Sequence, residues 1–146
     1  MAIDPVRPDD VSVADHLALA QLKHAYCHRI DAGDYEGWVD LFTDDGSFVR
    51  VGNDRFDGAA ELRRFAEDVF DPGFAHTAHH VTNPVVDVDG DEATGRWYLF
   101  LQFATPDGGG GWKQAVYEDA FRRVDGAWRI DAVNLHLQAT ETLELA

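Results

Sequence analysis

The stretch ATGRWYLFLQFA, residues 93–104, combines aromatic and aliphatic residues and predicts a long β-strand. Successive side chains of a strand point to opposite sides of the sheet, and apolar residues occupy both sides of this one. One side therefore faces a core or a cavity. We expect a neighbouring subunit to cover the other side, since a monomer rarely exposes a large apolar patch.

Similar segments on either side of this strand predict an extended antiparallel sheet. The turn DPG at 71–73 ends the helical part of the chain, and apolar residues then recur with a period of two. Short turns rich in Asp and Gly separate the segments, which favours antiparallel neighbours. Three further long strands are predicted at 79–88, 112–124 and 127–138.

The first half of the chain predicts three helices. Apolar residues at spacings of three and four predict an amphipathic helix from Ala14 to Ile30, with Lys23 and His24 facing solvent. The other elements predicted here are helices over 35–42 and 59–70, a short strand over 47–51, and turns at 43–46 and 53–58.

Helices followed by a run of antiparallel strands imply an α+β fold. Three N-terminal helices packed on a strongly curved, mainly antiparallel sheet would form a cone-shaped α+β barrel, and an aromatic lining would make the cone a small-molecule pocket. We expect a flexible lead-in over 1–13, a single domain over 14–140 and a tail over 141–146. The glycine run 108–111 lacks the strand-to-helix context of a phosphate loop and predicts a flexible hairpin.

The charge of the chain excludes several classes of partner. Its 146 residues include 12 Lys and Arg against 27 Asp and Glu, a formal net charge of −15. Nucleic acids and anionic membrane surfaces both attract basic proteins, so we expect neither as a partner. The sequence has one cysteine, Cys27, no long apolar run and no signal-peptide pattern, which favours a cytoplasmic protein.

Three short blocks of sequence resemble those of one known family. They run from YCHRID at 26–31 to LFTDDG at 41–46, from HHVTNP at 79–84 to TGRWY at 94–98, and over DGAWRI at 125–130. Their order and spacing resemble the SnoaL-like branch of the nuclear-transport-factor-2-like superfamily, whose relatives include scytalone dehydratase, lindane dehydrochlorinase, bile-acid dehydratase and steroid delta-isomerase. The resemblance implies the cone-shaped fold. It does not identify the substrate, because this scaffold carries many activities.

The resemblance also implies catalytic roles for three residues. In the dehydratase and dehydrochlorinase relatives, an Asp after the first helix pairs with a His that removes a proton from carbon. Asp31 and His79 match these two residues, and Tyr26 matches a tyrosine that assists the leaving group in the bile-acid dehydratase. The steroid isomerases use an acidic base on a strand, for which this chain offers no convincing match. The resemblance therefore favours His79 as general base, Asp31 as its orienting partner and Tyr26 as an acid or hydrogen-bond donor.

The chemistry of these residue types is compatible with such roles. A carboxylate bonded to one ring nitrogen of a histidine fixes the tautomer and raises the basicity of the other nitrogen. Such a base needs neither a metal nor an organic cofactor. From the residues alone, Asp31 could instead end the helix, His79 could be a partly exposed strand residue, and Tyr26 could pack in the core. An Asp at a helix C-terminus opposes the helix dipole, however, which indicates another role.

Three neighbouring histidines, His76, His79 and His80, raise the alternative of a zinc site. In a strand, His79 and His80 point to opposite faces. No Cys or second His cluster supplies further ligands, apart from His136 or a distant acidic residue. We therefore expect no metal site, and we predict that His80 lies on the outside of the sheet or at a subunit interface.

Further residues are predicted to contact a substrate. In the last strand, Asn134 and His136 share one face with the apolar Trp128 and Ile130, which predicts a polar pair in or at the mouth of the cavity. A bulge in this strand would reverse the facing. The other predicted contacts are Trp38, Phe65 and whichever of Trp97 and Tyr98 points inward.

Together these expectations describe a cofactor-independent lyase or isomerase that acts on a hydrophobic, cyclic, polyketide- or steroid-like small molecule. Loss of water is the preferred reaction, and cyclisation or isomerisation would begin with the same proton abstraction. The alternatives are a non-catalytic ligand-binding or oligomerisation module of the same fold, and a metal-dependent hydrolase. We expect a homo-oligomer, either a dimer or a trimer.

Overall fold

A helical layer packs on a sheet in the computed structural model, which describes residues 12–143. Its helical elements are α1 (Val13–Asp31), α2 (Tyr35–Val39), α3 (Gly58–Arg64), a π-helical segment (Phe65–Phe70) and a 3₁₀ turn (Asp71–Gly73). Ser12 begins α1, because its hydroxyl accepts the backbone N–H of Asp15. The Asp34 carboxylate caps α2 in the same way by accepting the N–H of Gly37.

Six strands form one curved, unclosed sheet within residues 12–143. In chain order they are β1 (Phe42–Arg50), β2 (Asp54–Asp57), β3 (His76–Asp89), β4 (Glu92–Ala104), β5 (Gly110–Val124) and β6 (Ala127–Leu143). Their order across the sheet is β2-β1-β6-β5-β4-β3. The pair β1–β6 is parallel and the other pairs are antiparallel. The predicted α+β class, with helices on a curved and mainly antiparallel sheet, is confirmed.

The ends of the chain extend beyond the described residues. Residues 1–11 of the expected lead-in and residues 144–146 of the expected tail lie outside the described range. Strand β6 remains paired with β5 as far as Leu143, which lies opposite Gly110. None of the helices within residues 12–143 is both long and apolar enough to cross a membrane.

The structure differs from the prediction around the first two strands. The predicted turn at 43–46 lies inside β1, whose register with β6 shifts within this stretch, and the preceding helix already ends at Val39. The predicted turn at 53–58 contains β2. This short strand forms because Phe56 is buried with its ring 5.1 Å from that of Phe65.

A bulge in β6 reverses the side-chain facing predicted for the second half of that strand. The register of β5 and β6 shifts at Asp131, so one extra residue interrupts the alternation of faces. The prediction that Asn134 and His136 share the face of Ile130 is therefore wrong. Both side chains approach Glu118 on the outer face. The Asn134 amide donates to the main-chain oxygen of Glu118 at 3.1 Å, and His136 Nε2 lies 3.4 Å from the Glu118 carboxylate.

A buried ion pair lies between α1 and the sheet. The Lys23 ammonium is 2.8 Å from Asp119 Oδ2, and neither side chain has exposed surface. The ammonium also lies 4.2 and 3.6 Å from the ring centres of Tyr26 and Tyr117. Burial raises the pKa of Asp119, and the charge and hydrogen bond of Lys23 oppose that rise. The prediction that Lys23 faces solvent is wrong, because rings and a carboxylate replace water around it; His24 is exposed, as predicted.

We expect Lys23→Met to lower the free energy of unfolding by about 3–5 kcal/mol, because it leaves the Asp119 carboxylate buried without a counter-charge. The double variant Lys23→Met/Asp119→Leu should recover most of this loss, since apolar side chains then replace both charges. Urea denaturation followed by circular dichroism measures both values. A single variant as stable as the unmodified protein would contradict a structural role for the pair.

Candidate active site

A carboxylate at the end of α1 holds a histidine of β3 in place. Asp31 Oδ1 lies 2.5 Å from His79 Nδ1 and accepts the Thr77 hydroxyl at 2.7 Å. Asp31 Oδ2 accepts the backbone N–H of His79 at 2.8 Å. These hydrogen bonds fix both the carboxylate and the imidazole ring, so the predicted pair of Asp31 and His79 is brought together.

The surroundings of Asp31 keep it ionised at neutral pH. Burial by itself would raise the pKa of this carboxyl group. The hydrogen bonds and charge of His79, together with the Thr77 hydroxyl, outweigh burial and hold the pKa of Asp31 below its ordinary value of 3.8. The carboxylate therefore accepts the proton on His79 Nδ1, and in the neutral ring this tautomer leaves a lone pair on Nε2.

A cavity of about 400 Å³ lies between the helices and the sheet, a volume within the range of small-molecule sites. Its wall is mainly aromatic and aliphatic. His79 is part of this wall, with its ring centre 6.0 Å from that of Phe70. Since Asp31 occupies Nδ1, the nitrogen that remains for a ligand is Nε2. The site therefore combines a lone pair on an oriented imidazole with apolar surroundings.

Tyr26 lies on the wall of the same cavity and is only 3% exposed. Burial raises the pKa of its hydroxyl well above the ordinary value of 10.0, while a hydrogen bond with Tyr117 opposes the rise. The hydroxyl therefore stays protonated at neutral pH and acts as a hydrogen-bond donor. Helix α1 thus supplies two of the three predicted catalytic residues, Tyr26 and Asp31, from consecutive turns.

The other predicted substrate contacts occupy several environments. Phe65 lines the cavity, and Trp38 packs behind it without exposed surface, 5.9 Å away between ring centres. Trp97 points to the inner side of β4 but belongs to the core, where it is 1% exposed. Tyr98 points to the outer side and is 51% exposed. Of these four residues, the structure places Phe65 on the cavity wall.

Two cationic side chains on the cavity wall, Arg50 and Lys113, are not among the predicted site residues. Lys113 lies two positions before Ala115 and four before Tyr117, which both face inward. The alternation of faces along β5 therefore predicts that Lys113 also faces the cavity. Arg50 ends β1 two positions after the inward-facing Phe48, in a stretch where the register with β6 is regular, so the same alternation indicates that Arg50 faces the cavity.

The three neighbouring histidines do not converge on one point. His80 is exposed on the outer face, with Nδ1 3.3 Å from the main-chain oxygen of Phe100, whereas His79 points inward. In the part of the chain from 12 to 143, no group of three or more His, Cys, Asp or Glu residues is placed to hold a metal ion.

The fold recurs in several solved structures. A candidate aromatic ring hydroxylase from Novosphingobium aromaticivorans DSM is 28% identical, with a TM-score of 0.84 over 90% of this chain and 95% of that one. A type 2 hexachlorocyclohexane dehydrochlorinase is 20% identical, with a TM-score of 0.85 over 92% of both chains. A candidate scytalone dehydratase from Novosphingobium aromaticivorans DSM 12444 is 21% identical, with a TM-score of 0.83 over 92% of this chain and 91% of that one.

The similarities to the dehydrochlorinase and to the candidate scytalone dehydratase establish a shared fold. The comparison with curated proteins gave no match. The SnoaL-like domain family matches residues 11–134, a range that includes Tyr26, Asp31 and His79. The resemblance carried by the three sequence blocks is thereby confirmed, and this chain belongs to the SnoaL-like family.

Proposed function

We propose that this protein is a cofactor-independent lyase. It removes a proton from carbon in a hydrophobic, cyclic, polyketide- or steroid-like molecule and expels water. The observation that carries the proposal is the 2.5 Å contact between Asp31 and His79 at the wall of an apolar cavity. An orienting carboxylate behind one ring nitrogen is what a general base requires. Cyclisation or isomerisation would use the same first step.

In the proposed reaction, His79 Nε2 takes the proton from carbon. The C–H electron pair becomes a carbon–carbon double bond as the adjacent C–O bond breaks. Tyr26 donates its phenolic proton to the departing oxygen, so that water leaves, and the Asp31 carboxylate stabilises the imidazolium. Transfer of the imidazolium proton through solvent to the Tyr26 phenolate restores both residues.

The similar structures support this class of reaction. Two of them bear the names of elimination enzymes, a dehydrochlorinase and a scytalone dehydratase. A base-promoted elimination begins or coincides with removal of a proton from carbon, which is the step that an oriented imidazole assists. An apolar cavity also strengthens the electrostatic contact between Asp31 and the charged ring during that step.

A ligand-binding or assembly module of the same fold is the second candidate. The outer face of the sheet offers a surface for assembly, since Tyr98 and Phe100 are 51% and 41% exposed and Phe100 stacks on Trp112 at 5.9 Å. We propose that a homo-oligomer forms through this face. Such a module has no need of His79 as a base, so a test of proton abstraction separates the two candidates.

Exchange of carbon-bound hydrogen for deuterium tests the base without knowledge of the leaving group. In D₂O, we expect the protein to accelerate exchange next to the carbonyl in at least one member of a panel of cyclic hydroxy-ketones, measured by NMR. His79→Ala should lower the rate about 100- to 10,000-fold. Asp31→Asn should also lower it, because the ring loses its enforced tautomer.

His80→Ala is the matched control for this experiment, since it removes the adjacent histidine from the outer face of the same strand. It should retain the unmodified exchange rate. Equal rates for His79→Ala and the unmodified protein would refute the assignment of His79 as the base.

Acid stability reports on the Asp31 hydrogen bonds independently of turnover. The pKa of Asp31 in the folded protein is below its ordinary value of 3.8, so the unfolded chain binds this proton more readily. The stabilisation is therefore complete well above about pH 4 and is lost as the pH falls through the folded-state pKa. Asp31→Asn should be less stable than the unmodified protein at neutral pH, and this difference should shrink at lower pH.

Urea midpoints measured from about pH 7 down to about pH 3 test this linkage. Asp87→Asn makes the same change at an exposed position of β3 and gives the reference curve. A stability difference between Asp31→Asn and the unmodified protein that stays constant with pH would show that the carboxylate charge contributes nothing.

A further inference from the structure

In the described part of the chain, the charged side chains on the cavity wall are all basic, although the whole chain is acidic. The formal net charge is −15, yet the cavity wall includes Arg50 and Lys113 and, among residues 12–143, no Asp or Glu. His79 is a further basic group on this wall. Two carboxylates lie behind this wall, Asp31 bonded to His79 and Asp54 bonded to Arg50. The positive charge without a carboxylate partner among the described residues is that of Lys113, which favours an anionic ligand over a neutral one of the same shape.

Of the two Lys and Arg side chains on the cavity wall, Lys113 is the one without a carboxylate partner within residues 12–143. Its ammonium lies 5.4 and 5.7 Å from the ring centres of Phe74 and Phe103. Burial lowers the pKa of Lys113, and the positive charge of Arg50 lowers it further. A partly buried ammonium surrounded by rings is less stable than one paired with an anion, so this position favours an anionic partner.

Arg50 differs from Lys113, because a carboxylate already compensates its charge. Arg50 Nε donates to Asp54 Oδ1 at 2.6 Å, and a second guanidinium nitrogen bonds the other oxygen of the same carboxylate. The guanidinium carbon lies 5.8 Å from the ring centre of Phe65. The uncompensated positive charge on the wall is therefore that of Lys113.

The register of the sheet sets the separation between the main-chain positions of Lys113 and His79. His79 pairs with Leu101, and Leu101 pairs with Lys113, so the three residues form one row across β3, β4 and β5. All three line the cavity. Neighbouring strands are about 4.8 Å apart, which places the main chains of His79 and Lys113 about 10 Å from each other. A fused-ring molecule can bridge such a separation.

We propose that Lys113 binds a carboxylate of the substrate, at the end of the molecule opposite the carbon that His79 deprotonates. The role of His79 in this inference rests on the proposed function, whereas the binding of the carboxylate does not. One uncompensated ammonium matches a single negative charge, and the apolar wall matches a ring system. The substrate class is therefore a hydrophobic cyclic acid.

Two probes of nearly equal shape test the proposal, the anion 2-naphthoate and the neutral 2-naphthamide. Their affinities for the full chain are measured by isothermal titration calorimetry at neutral pH. A hydrogen bond to a charged group corresponds to about 10- to 100-fold in affinity, so naphthoate should bind at least about tenfold more tightly. Lys113→Gln should weaken naphthoate by about this factor and leave naphthamide within about twofold.

Arg63→Gln is the matched control, since it removes one positive charge from an exposed side chain of α3 that pairs with Glu67 at 3.6 Å. It should keep the preference for naphthoate.

The proposal is overturned by equal affinities for the two probes, by no detectable binding of naphthoate, or by a preference that Lys113→Gln leaves unchanged. The binding measurement needs no turnover, so its result is independent of the deuterium exchange experiment. A naphthoate preference that depends on Lys113, found together with an absence of exchange, would support the carboxylate site and refute the lyase. Deuterium exchange found without a naphthoate preference would support the lyase and refute the carboxylate site.

Discussion

The carboxylate of Asp31 joins the helical layer to the edge of the sheet. Strand β3 ends the described strand order, so β4 is its partner on one side and α1 packs against it. Asp31 accepts hydrogen bonds from the Thr77 hydroxyl and from both the backbone and the ring of His79. These bonds offset the unfavourable position of a carboxylate at the C-terminal end of a helix. One set of contacts therefore attaches β3 to α1 and orients the imidazole.

The buried ion pair of Lys23 and Asp119 is a second pair of charges held in place by the fold, next to the cavity. The ammonium contacts the rings of Tyr26 and Tyr117, and both tyrosines line the cavity. Neither charged side chain reaches water, so water could not solvate one of them if its partner moved away. The position of Tyr26 thus depends on an ion pair as well as on apolar packing. Burial also keeps its hydroxyl protonated, which suits a donor rather than a base.

Local sequence patterns predict some features of this structure, whereas other features depend on contacts between residues that are distant in sequence. Periodicity predicted the first helix and the long strands, because each depends on its own alternation of apolar residues. Asp31 and His79 are 48 positions apart, and family resemblance rather than periodicity linked them. The bulge at Asp131 depends on the register with β5, which no local pattern encodes. The sequence does not predict the burial of Lys23, because a lysine is rarely buried unless paired and its partner Asp119 is distant in sequence.

The proposed base and the proposed anion site depend on each other electrostatically. When His79 takes a proton, a positive charge forms in a cavity that already contains the Lys113 ammonium. Two positive charges in one cavity repel each other. Asp31, behind the ring, supplies a fixed counter-charge. A substrate carboxylate at Lys113 would pair with the ammonium, so the positive charge that forms on the ring in the proposed reaction would meet less repulsion when a cyclic acid occupies the cavity.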